Sequence, residues 1–337
     1  MTTNPFAFPP KEAKPLDVVT WGETMLRLSP AEGVALEAAG SLEISAGGTE
    51  SNMAIGLARL GRRVGWSSRL PDNPLGRRIA RDIAAQGVDV SRVLWARGDQ
   101  GERAGLLFIE PGAAPRPNRV LYDRAGSAIA RLNPAELDYA YLASGRVLFL
   151  TGITPALSAS CREAWLRSAQ EARRAGCAVV VDVNFRSKLW SPQAARETLE
   201  AVFPHVEAVF CGLADLQLLF GMPQEPALAA ESFARAYRIP LVVLTLGAQG
   251  ALAWREGKVL THPVFPTQVV DRIGSGDAFA AGFLHGWLEG TLERALALGN
   301  AMAALKQTYR GDATWATRAE VEELLTQGGG DSRSVSR

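Results

Sequence analysis

The chain is poor in the residues that build disulfide or zinc scaffolds. Of 337 residues, three are cysteine and three are histidine. Cys161, Cys177 and Cys211 are odd in number, widely spaced and free of any C-x-x-C pair. That pattern argues against a disulfide framework and for a reducing compartment. Each lies in or beside an apolar stretch, where a free cysteine acts as a small buried hydrophobe. His205, His262 and His285 are scattered and lack zinc-ligand spacing. An excess of one charge is also missing: 36 Lys and Arg face 35 Asp and Glu, a net charge of +1. Such a balance carries no global footprint for nucleic acid. No apolar run approaches the ~18 residues of a membrane span. The N-terminus MTTNPFAFPPKEAKP lacks the basic-then-apolar order of a secretion signal. These absences favour a cytoplasmic protein with neither nucleic acid nor membrane as partner. Hydrophobic residues make up 47% of the chain, enough for a large core.

The patterning is that of an α/β protein. LDVVTWG reads as a first strand ending near Gly22, and SNMAIGLARLGRR carries a helical stripe at 53, 54, 57, 58 and 60. GLLFIEPG and NRVLYDRAG read as two strands joined by a Pro/Gly-rich loop. After residue 145, strands alternate with helices: RVLFLTGI, a long helix, AVVVDVNF, a helix near 192–203, VEAVFCG, LADLQLLFG, IPLVVLTLG. Continuous runs such as AVVVDV and LVVLTL fit parallel strands buried on both faces. The rhythm predicts a doubly wound sheet flanked by helices, whose ligands bind beyond the carboxyl ends of the strands. Residues 1–15 read as an irregular arm, and 328–337 as a disordered tail.

That rule selects three loops: DVNFR, TLGAQG and DRIGSGD. The last runs into a helix rich in small residues, DAFAAGFLHGWLEG. Amides of Gly274, Ser275, Gly276 and Asp277 at a helix start can converge on an anion. Taken alone, the stretch equally fits a capped turn. It is not a P-loop, because Gly257-Lys258 is followed by Val259 and lacks the upstream glycine. It is not a dinucleotide fingerprint, because position 279 is Phe279, nor a nucleophile elbow, because position 273 is Ile273.

GSGDAFAAGF after an aspartate resembles the second signature of the ribokinase-like carbohydrate kinases, the PfkB family. SAGGTESNMAIGLARLG resembles the first, with Gly47, Gly48, Asn52, Ala54 and Gly61 at its spacing, and TLGAQGALAW is similar to a third, nucleotide-bordering turn. The likeness spans about residues 16–327. Within the family, YDRAGSAIARLNP, LTGITPALS, DVNFRSKLWSP and YRGDATW resemble segments of 2-keto-3-deoxygluconate kinases. The resemblance implies one ribokinase-like domain over 16–327. It also implies a small β-sheet lid from about 22–45 and 104–124, whose outer face forms a homodimer or higher homo-oligomer.

The implied activity is transfer of the γ-phosphoryl group of ATP, with Mg²⁺, to a sugar-acid hydroxyl, best matched by 2-keto-3-deoxygluconate. A fructokinase or ribokinase type and a non-catalytic sugar-binding relative remain alternatives. The implied roles are as follows. Gly274, Ser275, Gly276 and Asp277 carry the chemistry, with Asp277 as base. The helix dipole keeps Asp277 ionised unless burial outweighs it. Gly47, Gly48, Asn52, Tyr122, Arg124 and Arg186 hold the sugar acid, the two arginines on its carboxylate. Asn184, Thr245, Gly247, Gly250 and Asn300 border ATP, and Asp215 meets Mg²⁺ through water. Five positions depart from the pattern: Pro71, Leu107, Gly212, Asp215 and Arg272.

Overall fold

The computed structural model describes residues 8–10, 13–97, 101–112 and 115–327. Most of the expected arm and the whole tail lie outside the described residues. Where the arm is described, it is anchored. Phe8 packs edge-on against Trp287 with ring centroids 4.7 Å apart, and the Pro9 carbonyl accepts from Arg146 Nε at 2.8 Å.

Numbered in chain order, the main sheet holds β1 (Leu16–Trp21), β4 (Val64–Ser67), β9 (Gly145–Thr151), β10 (Ala178–Asp182), β11 (Ala208–Gly212), β12 (Leu241–Thr245), β13 (Ala251–Arg255) and β14 (Lys258–His262). Its spatial order is β14-β13-β12-β11-β10-β9-β1-β4. The run from β4 to β12 is parallel, and the β13–β14 hairpin closes one edge antiparallel. Successive strand residues face opposite ways. Val18, Val147, Val180 and Val243 therefore enter one core, and Val19, Leu148, Val181 and Val242 the other.

The first face is covered by α1 (Thr49–Arg59), α2 (Pro74–Ala84), α8 (Ser275–Glu289), α9 (Leu292–Gln307) and α10 (Arg318–Gln327). The second is covered by α3 (Tyr139–Leu142), α4 (Ala159–Arg174), α5 (Pro192–Val202), α6 (Leu213–Phe220) and α7 (Pro226–Tyr237). The small residues of α8 let it lie close to α9: a Cβ on Gly282 would collide with the Leu298 carbonyl. Among the described residues, no helix is long and apolar enough to cross a membrane.

From β1 the chain crosses to β4 on one side and later returns to β9 on the other. The carboxyl ends of β1 and β9 therefore flank a topological switch point, where open α/β sheets form their crevice. Above it stands a smaller sheet of β2 (Met25–Ser29), β3 (Glu43–Gly47), β7 (Leu106–Glu110) and β8 (Arg119–Asp123), in the order β3-β2-β7-β8. Its inner face carries Met25, Leu107 and Ile109, packed with Val120 and with Ile273 of the loop before α8. A short pair, β5 (Arg69–Pro71) and β6 (Leu94–Ala96), lies to the side.

Candidate active site

Thr151, Asp182, Gly212 and Thr245 end β9, β10, β11 and β12. The alternation of the strands puts all four on the face covered by α8. Glu50, in the first turn of α1, reaches this row: its Oε1 accepts from Thr151 Oγ1 at 2.6 Å and from Thr154 Oγ1 at 2.7 Å. Its Oε2 is buried and has no hydrogen-bond partner among the described residues. Burial pushes this carboxyl above the ordinary range, against the two threonine hydroxyls. Glu50 was not singled out from the sequence, where it reads as an ordinary acid in a helix's first turn.

The loop before α8 is a tight, glycine-dependent turn. Gly274 is the N-cap with φ +80°, a left-handed conformation natural to glycine. A Cβ there would also collide with the Asp312 carbonyl. The Ser275 amide bonds back to the Arg272 carbonyl at 3.2 Å, closing the turn. Gly276 has open space where a side chain would sit.

Asp277, in the first turn, is 8% exposed. Its Oδ2 accepts from Asn52 Nδ2 at 2.7 Å. Burial is the largest influence and pushes Asp277 up to about 7; the Asn52 bond opposes it, and the nearby Asp182 and Asp312 charges add to it. The condition attached to the helix start, that burial not outweigh it, is not met here. A dipole effect of about 0.3–1 kcal/mol is outweighed by desolvation. The result is an acid–base group poised near neutrality.

Of the residues expected at the sugar, Gly47 and Gly48 join β3 to α1 and place Asn52 over Asp277. The loop is locked by Thr24 Oγ1 donating to Ser51 Oγ at 2.7 Å, and Ser51 Oγ donating to the Gly48 carbonyl at 3.0 Å. Arg124 is already engaged. Its Nε donates to Glu23 Oε2 at 2.7 Å and its Nη2 pairs with the same carboxylate, which Ser127 Oγ also contacts at 2.5 Å. Glu23 is a further site residue missed in the sequence.

Arg186 is exposed, and among the described residues its guanidinium donates to the Phe185 carbonyl, at 3.0 Å, and forms no ion pair. It lies close enough to Asp182, Asp215 and Asp277 to favour their ionised forms. Tyr122 is 42% exposed, with Arg124 and Lys188 each 5.7 Å from its ring centroid.

On the other side, Asn184 (φ +40°) folds back on Asp182, giving it a backbone N–H at 3.2 Å and its side-chain amide at 2.8 Å. Desolvation pushes Asp182 up to about 6 despite these bonds, and pushes Asp215 up against the pull of Arg186. Asn184 Oδ1 is left buried and without a partner among the described residues. Hard oxygens of this kind suit Mg²⁺ held through water. No group of three or more His, Cys, Asp or Glu among the described residues could by itself hold a metal ion.

Gly212 brings the Thr245 hydroxyl and Asp215 together: a Cβ at 212 would stand 3.9 Å from Thr245 Oγ1 and 4.0 Å from Asp215 Oδ2. Gly247 and Gly250 take left-handed φ values of +59° and +95° in the turn after β12. Asn300 on α9 donates to the His262 carbonyl at 3.1 Å. Beside it opens a pocket of about 500 Å³ lined by His262, Pro263, Phe265, Arg294 and Ala297, among others.

Of the remaining departures, Leu107 has a local explanation: it fills the small sheet's inner face against Ile273. Pro71 ends β5 just before α2, and nothing in the structure explains why proline stands there. Arg272 is exposed, and nothing in the structure explains why arginine stands there.

A model of the pfkB family carbohydrate kinases matches residues 15–318. A 2-dehydro-3-deoxygalactonokinase of Haloferax volcanii is 42% identical over 317 residues, covering 94% of this chain and 98% of that protein. A 2-dehydro-3-deoxygluconokinase of Bacillus subtilis is 34% identical over 302 residues, covering 88% of this chain and 91% of that protein. The crystal structure of a 2-dehydro-3-deoxygluconokinase from Thermotoga maritima superimposes with a TM-score of 0.86 at 29% identity, covering 92% of this chain and 98% of that one. The chain belongs to the pfkB family of carbohydrate kinases.

Proposed function

We propose that this pfkB-family kinase transfers the γ-phosphoryl group of ATP to the terminal hydroxyl of a 2-keto-3-deoxy sugar acid of the gluconate or galactonate series. The observation that carries the reading is the meeting of Asp277, held by Asn52, with the amide cradle of 274–277 at the switch point. Phosphoryl transfer through a loose transition state asks the protein mainly to position groups and stabilise charge. The amides of Gly274, Gly276 and Asp277 receive the transferring group, while the Ser275 amide closes the turn. Asp277 takes the acceptor's proton, and its value near 7 suits that task.

The unpaired guanidinium of Arg186 supports a planar carboxylate on the acceptor. Arg124, neutralised by Glu23, shapes the pocket with Tyr122 and presents less free charge than the sequence led us to expect. Thr245, Gly247 and Gly250 flank the phosphates, and Asn300 with the adjoining pocket flanks the base. Mg²⁺, near Asn184 and Asp215, would neutralise phosphate charge. The small sheet excludes water from the acceptor. Its outer face exposes Leu121 (59%) and Ile44 (37%), which supports pairing of two copies there.

The test is ADP release with Mg-ATP against 2-keto-3-deoxygluconate, 2-keto-3-deoxygalactonate, gluconate, fructose and ribose. Turnover is expected on one or both 2-keto-3-deoxy acids, at a kcat/KM at least tenfold above that on any neutral sugar. No turnover on any acid would sink the proposal.

A further inference from the structure

Four buried charges lie behind the anion loop, and none of them hydrogen-bonds to Asp277. Arg27 on β2 is 6% exposed, Asp271 is 8%, Asp312 is 6% and Lys306 on α9 is 0%. Arg27 spans both carboxylates: its Nη2 meets Asp271 Oδ2 at 3.0 Å and its Nη1 meets Asp312 Oδ1 at 2.5 Å. Two cations and two anions thus balance.

Each carboxylate is fastened to catalytic backbone. Asp271 opens the anion turn: its Oδ1 accepts the Ile273 N–H at 3.0 Å and its Oδ2 the Gly311 N–H at 3.2 Å. Lys306 Nζ holds the Asp271 carbonyl at 2.9 Å and the Tyr309 carbonyl at 3.4 Å. Asp312 touches two loops at once. Its carbonyl lies so close to Gly274 that a Cβ there would collide with it, and a Cβ on Gly47 would collide with its carboxylate. One residue is thereby wedged between the phosphate cradle and the acceptor loop, and the guanidinium gripping it comes from the small sheet.

We propose that Arg27 is a positioning residue for phosphoryl transfer, setting the anion loop from the small sheet through Asp271 and Asp312. A buried ion pair contributes little net stability, because desolvation offsets its Coulomb gain. Its main effect here is on geometry. Only a planar fork can bridge two carboxylates in fixed directions; an ammonium acts as a point charge. Acceptor bound under the small sheet steadies β2, and Arg27 passes that order to residues 271–277. The inference rests on the kinase reading.

Arg27→Lys retains the charge and one bridge. We expect kcat to fall tenfold or more in the folded variant, with KM for the sugar acid and for ATP within threefold of wild type. Asp312→Asn should show the same split. A role confined to stability would lower Tm and leave kcat of the folded protein intact. Wild-type protein supplies a measurement free of folding defects: hydrogen exchange with the sugar acid present and nucleotide absent. Amides at 271–277 should exchange at least fivefold more slowly than without the acid. A folded Arg27→Lys protein with kcat within threefold of wild type overturns the inference. So does unchanged exchange in an enzyme that turns the acid over. Failure of wild-type protein to turn over any sugar acid overturns the kinase reading instead.

Discussion

The Asn52 side-chain amide donates to the Asp277 carboxylate at 2.7 Å, bridging the first turns of α1 and α8 across 225 positions of sequence. A donor to the charged form lowers a carboxyl pKa, so Asn52 restrains the upward push of burial. If Asp277 acts as base in its ionised form, kcat/KM should rise with pH through about 7. In Asn52→Ala the rising limb should move to higher pH by about one to two units, since a hydrogen bond to a charged group is worth about 1.5–3 kcal/mol. A pH–rate profile checks both. An unmoved limb would show that Asn52 does not tune the group being titrated.

Asp277→Asn should remove catalysis and add stability above neutrality. General-base removal costs roughly 10²–10⁴ in rate. The folded-state value near 7 lies well above the ordinary aspartate value of 3.8. As pH rises from 3.8 to 7, the unfolded chain sheds this proton first, and wild-type stability falls. The loss amounts to at most about 4 kcal/mol. Asparagine carries no such proton. The Tm gap between variant and wild type should therefore widen in the variant's favour from pH 4 to pH 8, read by calorimetry.

Two glycines of the cradle should respond oppositely. Gly274→Ala places a methyl group against the Asp312 carbonyl at a left-handed φ. It should lower stability by more than the roughly 1–3 kcal/mol of backbone strain alone. Gly276→Ala meets no atom within 4 Å, and alanine favours a helix by about 1 kcal/mol. It should keep or raise Tm while cutting kcat at least tenfold, because the methyl group occupies the space facing the anion. Thermal melts beside initial rates separate the two effects.

The arginines should divide as well. Arg186→Ala should raise KM for the sugar acid tenfold or more and change KM for ATP by less than threefold. Arg124→Ala strands the buried Glu23 carboxylate, and breaking such a pair costs about 3–5 kcal/mol. Its first effect should be on Tm. If Arg124→Ala instead left Tm unchanged and raised KM for the acid alone, the assignments would have to be exchanged.

Much of this was legible in the chain itself. The long apolar runs of β10 and β12 declared strands buried on both faces, and the glycines around 47 and 274 declared tight turns. The alanine-rich α7 and the hairpin of β13 and β14 gave no comparable pattern and were left unread. Glu23, Glu50, Asp182 and Asp312 were not legible as site residues either. An acidic side chain in sequence reads as solvated, and only the fold reveals that each is enclosed by groups from distant segments. Asn184 and Arg124 were marked for function, but their own carboxylate neighbours engage them. Such partners sit two positions away on a bent backbone in one case and 101 positions away in the other.

The wedge formed by Asp312 also bears on how the molecule is made. Asp312 follows the Gly47 loop, which it braces against the Gly274 turn, by roughly 265 positions, so the loop is synthesised well before its brace. Contacts of such sequence separation form slowly and leave intermediates exposed. A chain stopped short of residue 312 can contain all eight strands of the main sheet yet lack the brace between its two reacting loops. During synthesis, the main sheet is therefore available before the brace between the Gly47 and Gly274 loops.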